Sequence, residues 1–163
     1  MSQIIYSSAV TRVGQVFVLS GSKGVFRITF GEKEFRNYLD RLSGTRVTEG
    51  GSAAEMAHEL ELYFDGKLCE FKTDIDLTEG TPFQRAVWKK LQDIPYGKTA
   101  TYKEIAENVG KPGAARAVGN AVGVNPIPIV VPCHRVLASN GLGGYSGGIS
   151  IKKDLLTVEG AIS

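Results

Sequence analysis

Residues 101–122 read Thr-Tyr-Lys-Glu-Ile-Ala-Glu-Asn-Val-Gly-Lys-Pro-Gly-Ala-Ala-Arg-Ala-Val-Gly-Asn-Ala-Val, and this stretch decides the fold of the half of the chain that surrounds it. Thr101 with Glu104 three positions on is a capping box, in which each side chain satisfies a backbone N–H that the helix start leaves open. It opens a short helix through Ile105, Ala106 and Val109, and Gly110 supplies a C-cap. Lys111-Pro112-Gly113 makes a tight turn, after which Ala114 to Val122 reads as another helix. Two short helices across a glycine-containing turn have the spacing of a helix-turn-helix, a pattern that other helical hairpins share. In the second helix Ala114, Ala117, Val118, Ala121 and Val122 form a packed face, leaving Ala115, Arg116, Gly119, Asn120 and Gly123 outward. Each interior glycine costs ~1 kcal/mol against alanine, so an outward face of small residues requires a reason. Close helix–helix packing is one; close approach to another backbone is the other. Arg116 would be misplaced in a tight helix contact, which favours the second and points to a DNA groove.

Upstream, Thr81-Pro82-Phe83-Gln84 is a further capping box with proline at the first helical position. Phe83, Val87, Leu91 and Ile94 line one face of this helix, and Pro95-Tyr96-Gly97 stops it. Downstream, the apolar run Ile127-Pro-Ile-Val-Val131 reads as a buried strand that ends in Pro132-Cys133-His134-Arg135. A thiol reacts as thiolate, and a neighbouring base or cation supplies that form. On an extended chain, adjacent side chains point to opposite faces, so Cys133 and His134 do not pair directly unless the chain kinks at Pro132. A water bridging the two is the alternative. Asn140-Gly141 forms a turn, and the glycines around Tyr145-Ser146 make a flexible or close-fitting loop whose backbone amides can reach a ligand, although glycine content alone suits an ordinary surface loop equally well or better. A last helix, about Ile149 to Glu159, buries Ile151, Leu155 and Val158. Glu159 sits against the helix dipole at its C-terminus, which suits an exposed carboxylate or one kept for a partner such as His134.

The first half reads as a small α/β unit. Val16–Leu19 and Val25–Phe30 are strands, and Glu32–Leu42 and Ser52–Phe64 are helices, the latter with Met56, Ala57, Leu60 and Phe64 on one face. His58 lies off that stripe and is solvated; Cys69, in a short strand Leu68–Phe71, is a packed small hydrophobe. The turn-rich stretch from Asp74 to Gly80 divides the chain into domains at 1–77 and 78–163.

At 163 residues, with 42% hydrophobic and 22% charged residues, the chain has the composition of a soluble globular protein. No apolar stretch nears the ~20 residues of a membrane helix, and no secretory leader opens it. Two cysteines exclude a disulfide framework and point to a reducing, cytoplasmic compartment. With two histidines scattered, they offer no metal-ligand spacing, and neither metal nor cofactor is expected. Residues 1–80 hold nine basic against twelve acidic residues, net −3, whereas 81–163 hold ten against five, net +5. The second half therefore suits an anionic partner, nucleic acid included.

Pro132-Cys-His-Arg-Val136, with Asn125-Pro-Ile-Pro128, Ala114-Ala-Arg-Ala-Val-Gly119 and Gly144-Tyr-Ser-Gly-Gly148, resembles the O6-alkylguanine-DNA alkyltransferases over about residues 81–160. The resemblance implies an α+β protein: an N-terminal RNase H-like α/β domain followed by a mostly helical winged-helix/helix-turn-helix DNA-binding domain. It implies a monomer, with no membrane, that binds the minor groove of double-stranded DNA and flips O6-alkylguanine (O4-alkylthymine as well) out of the stack. The alkyl group then passes irreversibly to Cys133, once per molecule. Carried over, His134 draws off the thiol proton through a water, Glu159 orients His134, and Tyr102 donates to the departing base. Arg116 fills the gap in the duplex, with Ala115 and Gly119 on the same DNA-binding helix. Asn125 ties that element to the active-site strand. The carbonyls of Cys133 and Val136 read the exocyclic amine, Tyr145 and Ser146 close the pocket, and Pro128 lines its alkyl side. Some relatives carry zinc in the first domain, which the thiols and imidazoles here could not build. Two other classes stay open on the residues alone: a helix-turn-helix regulator with Cys133 as a sensor, and a Cys-His hydrolase, which would turn over.

Overall fold

A computed structural model describes residues 3–42 and 45–163. The chain divides into two compact units, Met1–Asp76 and Leu77–Ser163.

The first unit has strands β1 (Gln3–Thr11), β2 (Gly14–Gly21) and β3 (Gly24–Phe30), helix α1 (Glu32–Asp40), strand β4 (Arg46–Glu49) and helix α2 (Gly51–Phe64). The sheet runs β3-β2-β1-β4, antiparallel except for the parallel β1–β4 pair. β2 is buried continuously from Val16 to Ser20 because helices cover both faces of the sheet. Phe17 and Leu19 point to α1, where Phe17 stacks on Phe35 at 4.2 Å and Tyr38 completes the cluster. Val16, Val18 and Ser20 alternate to the other face, where the Ser20 hydroxyl pairs with Ser52 of α2.

Several sequence expectations change here. β1, whose Ile4-Ile5-Tyr6-Ser7-Ser8 pattern lacks clean alternation, is a full strand. Tyr63, not Phe64, joins Met56, Ala57 and Leu60 in the core, and Phe64 is half-buried. Leu68–Phe71 is no strand, and Cys69 is exposed rather than packed. The chain beyond it is held from α2 instead: the Lys72 and Thr73 amides donate to the Glu59 carboxylate at 2.7 and 3.0 Å. It then passes close to β3, where a Cβ on Gly24 (φ +124°) would lie 2.6 Å from the Asp74 carbonyl oxygen.

The second unit has α3 (Pro82–Leu91), β5 (Ala100–Thr101), α4 (Tyr102–Asn108), α5 (Ala115–Gly123), a 3₁₀ turn (Cys133–Arg135), β6 (Val136–Leu137) and α6 (Ile149–Val158). Both capping boxes form, Thr81 with Gln84 and Thr101 with Glu104, and Gly110 takes the left-handed cap conformation at φ +79°. The Trp88 indole N–H donates to the Ala121 carbonyl at 2.8 Å, locking α3 to α5. α3 stops at Leu91, short of Pro95, and Phe83 is half-buried. Ala117 is exposed, so the packed face of α5 is Val118, Ala121 and Val122. α6 buries Lys152, Leu155 and Leu156, with Ile151 and Val158 only half-buried. The main correction is that Ile127–Val131 is a series of turns, not a strand. The architecture is α+β, a mixed sheet with helices followed by a helical unit that contains the helix hairpin.

Candidate active site

Asn125, just past α5, sets the path of the chain into the site. Its side-chain oxygen accepts the Ile127 N–H at 3.0 Å and its amide nitrogen donates to the Val131 carbonyl at 2.8 Å. The Val131 N–H closes back on the Ile127 carbonyl at 2.9 Å. Ile129 is thereby held at φ +76°, a left-handed conformation rarely adopted by a β-branched residue, at a cost of roughly 1–3 kcal/mol. This fold-back replaces the strand expected from the apolar run and delivers Cys133 at the start of a 3₁₀ turn.

At 3.0 residues per turn, neighbours on that turn diverge by about 120°, so Cys133 and His134 face different surroundings. His134 is fully buried and its Nε2 lies 2.7 Å from Glu159 Oε2, while Nδ1 has no hydrogen-bond partner. The two side chains are thus not directly paired, as the strand argument held, though by a different geometry. Glu159 is buried too, and the Gly97 N–H reaches its Oε1 at 3.4 Å.

Two buried cations complete the surroundings: Arg135, which closes the motif read from sequence but was given no role there, and Lys152, which was not singled out. Arg135 donates to both oxygens of Glu159, at 2.8 and 2.9 Å. Lys152 is fully buried, and its ammonium donates to the carbonyls of Val136 at 2.7 Å, Gly144 at 3.1 Å and Leu142. A lysine in the apolar company of Ile149, Ile151, Leu155 and Leu156 was the available signal.

Burial dominates the ionisation of the site. It pushes the Cys133 thiol above its ordinary value, against hydrogen bonds from Asn125 and Tyr145 and the charge of Lys152. It pulls His134 below its ordinary value, against Glu159, which favours the imidazolium. It lowers Lys152 to about 8, and it raises Tyr102, with Cys133 adding to the effect. The resting pair is therefore a thiol and a neutral imidazole.

A cavity of about 170 Å³ opens over the thiol, well below the ~300–1,000 Å³ of sites for drug-sized ligands. Tyr102 from α4, Gly119, Val122 and Gly123 from α5, Cys133, and Gly144, Tyr145 and Ser146 from the loop line it. Tyr102 lies between two glycines. A Cβ on Gly119 would meet its ring at 3.9 Å, and one on Gly143 (φ +72°) its hydroxyl at 3.2 Å. The approach at Gly143 is tight, whereas that at Gly119 is ordinary van der Waals contact, so Tyr102 does not by itself explain the small residues of α5. The same tyrosine and Gly119 also line an open groove of about 520 Å³ with Ala115 and the exposed Arg116. Pro128 and Val136 are buried and stand outside both linings. Among the described residues no three His, Cys, Asp or Glu side chains converge as a metal site, and no helix is long and apolar enough to cross a membrane.

The helix hairpin thus carries an open groove that shares Tyr102 and Gly119 with the cavity over a buried thiol, the arrangement of a protein that could present a cysteine to a ligand held in that groove. The family model for the 6-O-methylguanine DNA methyltransferase DNA-binding domain matches residues 82–161. A methylated-DNA–protein-cysteine methyltransferase of Methanosarcina barkeri is 44% identical over 158 residues, covering 94% of this chain and 96% of the relative. The crystal structure of the O6-methylguanine methyltransferase of Mycobacterium tuberculosis superposes with a TM-score of 0.83 at 38% identity, over 100% of this chain and 95% of that one. The structure of the OGT of Mycobacterium tuberculosis in complex with DNA gives a TM-score of 0.81 at 41% identity, over 96% and 93%. The chain belongs to the methylated-DNA–protein-cysteine methyltransferase family.

Proposed function

We propose that Cys133 is the acceptor through which this O6-methylguanine DNA methyltransferase repairs DNA by methyl transfer to cysteine. The observation that carries the assignment is the placement of Cys133 in a small cavity that shares Tyr102 and Gly119 with the groove beside Arg116. In this reading double-stranded DNA lies with its minor groove on α5, near Ala115 and Gly119, and the lesion swings out into the cavity. Flipping costs a few kcal/mol, less for a poorly paired lesion. Arg116 enters the vacated stack, a common minor-groove device.

The thiol proton passes through a water to His134 Nδ1, and Glu159 on Nε2 stabilises the imidazolium formed. The thiolate lone pair attacks the alkyl carbon, the carbon–O6 bond breaks, and its electron pair returns to the guanine. Tyr102 supplies the proton that the departing base requires. Asn125 and Tyr145 donate to the developing thiolate. The carbonyls of Cys133 and Val136 read the exocyclic amine, Ser146 closes the loop over the base, and Pro128 backs the alkyl side. O4-alkylthymine is taken by the same route. The product is a thioether that no residue here can reverse, so each molecule acts once, as a monomer and without a cofactor.

Incubation with duplex DNA carrying O6-methylguanine, followed by intact-mass and peptide mass spectrometry, tests this. One methyl group on Cys133 is expected, with Cys133→Ala abolishing transfer while DNA binding persists. No adduct, or an adduct on Cys69, would refute the assignment. Arg116→Ala should slow repair of duplex far more than reaction with the free base, and equal slowing would remove its role in flipping.

A further inference from the structure

Arg135 follows the nucleophile and its base in sequence and has no part in the transfer scheme above. The residue is 7% exposed, and its guanidinium engages three ways. Nε donates to Glu159 Oε1 at 2.8 Å, Nη2 to Glu159 Oε2 at 2.9 Å, and Nη1 to the Ile94 carbonyl at 2.6 Å. The Tyr96 ring lies 5.8 Å from its centre. Glu159 Oε2 is therefore shared between Arg135 and His134 Nε2, at 2.9 and 2.7 Å. A buried ion pair is a weak device for stability, because desolvation offsets the attraction. A planar fork does fix a carboxylate's orientation, which a point charge does not.

We infer that Arg135 is a positioning residue for the transfer, gripping Glu159 so that one oxygen meets His134 Nε2 while its charge offsets the carboxylate's and leaves the imidazole neutral. The inference rests on His134 acting as the base. The Glu159 carboxylate favours a protonated ring against the effect of burial, and a ring already protonated cannot accept a proton from the thiol. The geometry avoids this by adding a cation on the same oxygen. The other ionisable groups around His134 are Lys152 on α6, whose charge acts in the same sense as that of Arg135, and Cys133 on the turn itself. Tyr96, from the segment after α3, sets its ring 5.8 Å from Arg135 and donates its hydroxyl to the Val158 carbonyl at 3.2 Å.

NMR titration of His134 in the full-length protein without DNA tests this, with transfer rates measured over the same pH range. In the wild type, His134 is expected neutral at pH 7, protonated on Nε2 and bare on Nδ1; an imidazolium at that pH would overturn the inference. Arg135→Gln keeps a hydrogen-bond donor and loses the charge. It should raise the His134 titration, and with it the acid limb of the rate profile, by about one pH unit. Arg135→Lys restores the charge and should return the titration to its wild-type position. A titration unmoved in Arg135→Gln, or moved equally in Arg135→Lys, would assign Arg135 to structure alone. The histidine titration needs no alkyl transfer, so it stands apart from the test of Cys133 as acceptor. Should Arg135→Gln not fold, the wild-type and Arg135→Lys titrations still decide the outcome.

Discussion

The two units bury different kinds of residue. Among the described residues, the buried polar side chain of the first unit is Ser20, while the second buries Asn125, His134, Arg135, Lys152 and Glu159. The first unit closes over aliphatic and aromatic side chains, and its charges lie in water or half-covered. The second pays for ionisable groups in its interior, each of which must be hydrogen-bonded or paired to be tolerated. Its buried charges converge on two targets: the carboxylate behind His134 and the carbonyls beside the cavity. Burial shifts the proton affinities of His134 and Lys152 downward, and such shifts are what the proposed transfer calls for. The cost of these buried groups is therefore concentrated around Cys133 and His134, whereas the first unit buries no charged side chain among its described residues.

The sharpest way to break this contrast is Glu159→Gln. It leaves the Arg135 guanidinium buried without its counter-charge, and loss of one partner from such a pair costs about 3–5 kcal/mol. If His134 takes up the thiol proton as proposed, transfer should slow as well, because the imidazolium would lose its carboxylate. A denaturant midpoint and a single-turnover rate measure the two effects, and an unchanged rate in folded protein would remove Glu159 from the mechanism. Phe35→Ala should cost a similar 3–5 kcal/mol, by deleting a ring stacked on Phe17. Here the protein that remains folded should still take up one methyl group per molecule; a lowered stoichiometry would show that the first unit shares in the chemistry.

Lys152→Met should destabilise by about 1–3 kcal/mol, because the buried carbonyls lose their donor. It also carries a pH signature. With a folded value of about 8 against 10.5 in the unfolded chain, both states hold the ammonium below pH 8. Between about 8 and 10.5 only the unfolded chain does. The unfolded state then binds more protons, so this group's contribution to stability rises with pH across that window. The stability difference between wild type and Lys152→Met should follow it in urea titrations, and a flat difference would mean that the carbonyl cradle outweighs burial. The smallest effect belongs to Thr101→Ala, expected to cost about 1 kcal/mol through loss of the helix cap, with a thermal melt as readout.

Features set by neighbouring residues were legible in the sequence. Both capping boxes, the Gly110 cap and the helix hairpin depend on hydrogen bonds spanning three or four positions, and residue identity specifies these directly. The awkward carboxylate at Glu159 could be read as one kept for a partner, since a charge opposed to a helix dipole asks for compensation. Ile127–Val131 was misread because apolar, β-branched residues look alike in a strand and in a buried turn. Its backbone is satisfied by the Asn125 side chain, and composition does not reveal that. Cys69 was misread for a related reason: a small hydrophobe flanked by Leu68 and, beyond Glu70, by Phe71 says nothing about which loop lacks a cover. Lys152 went unnoticed because its three acceptors come from β6 and the loop before α6, and only the folded chain assembles them.

By itself, the sequence determined the caps, the helix-turn-helix spacing, the adjacent thiol and imidazole, and the motifs that place the chain in its family. All are local, because they rest on side chains acting on their own stretch of backbone. The tertiary structure decided the environment of the thiol. It turned the apolar run back on itself and brought Glu159 to His134 across 25 residues. It also put two cations where water is excluded, beside a thiol and an imidazole whose proton affinities are shifted chiefly by burial.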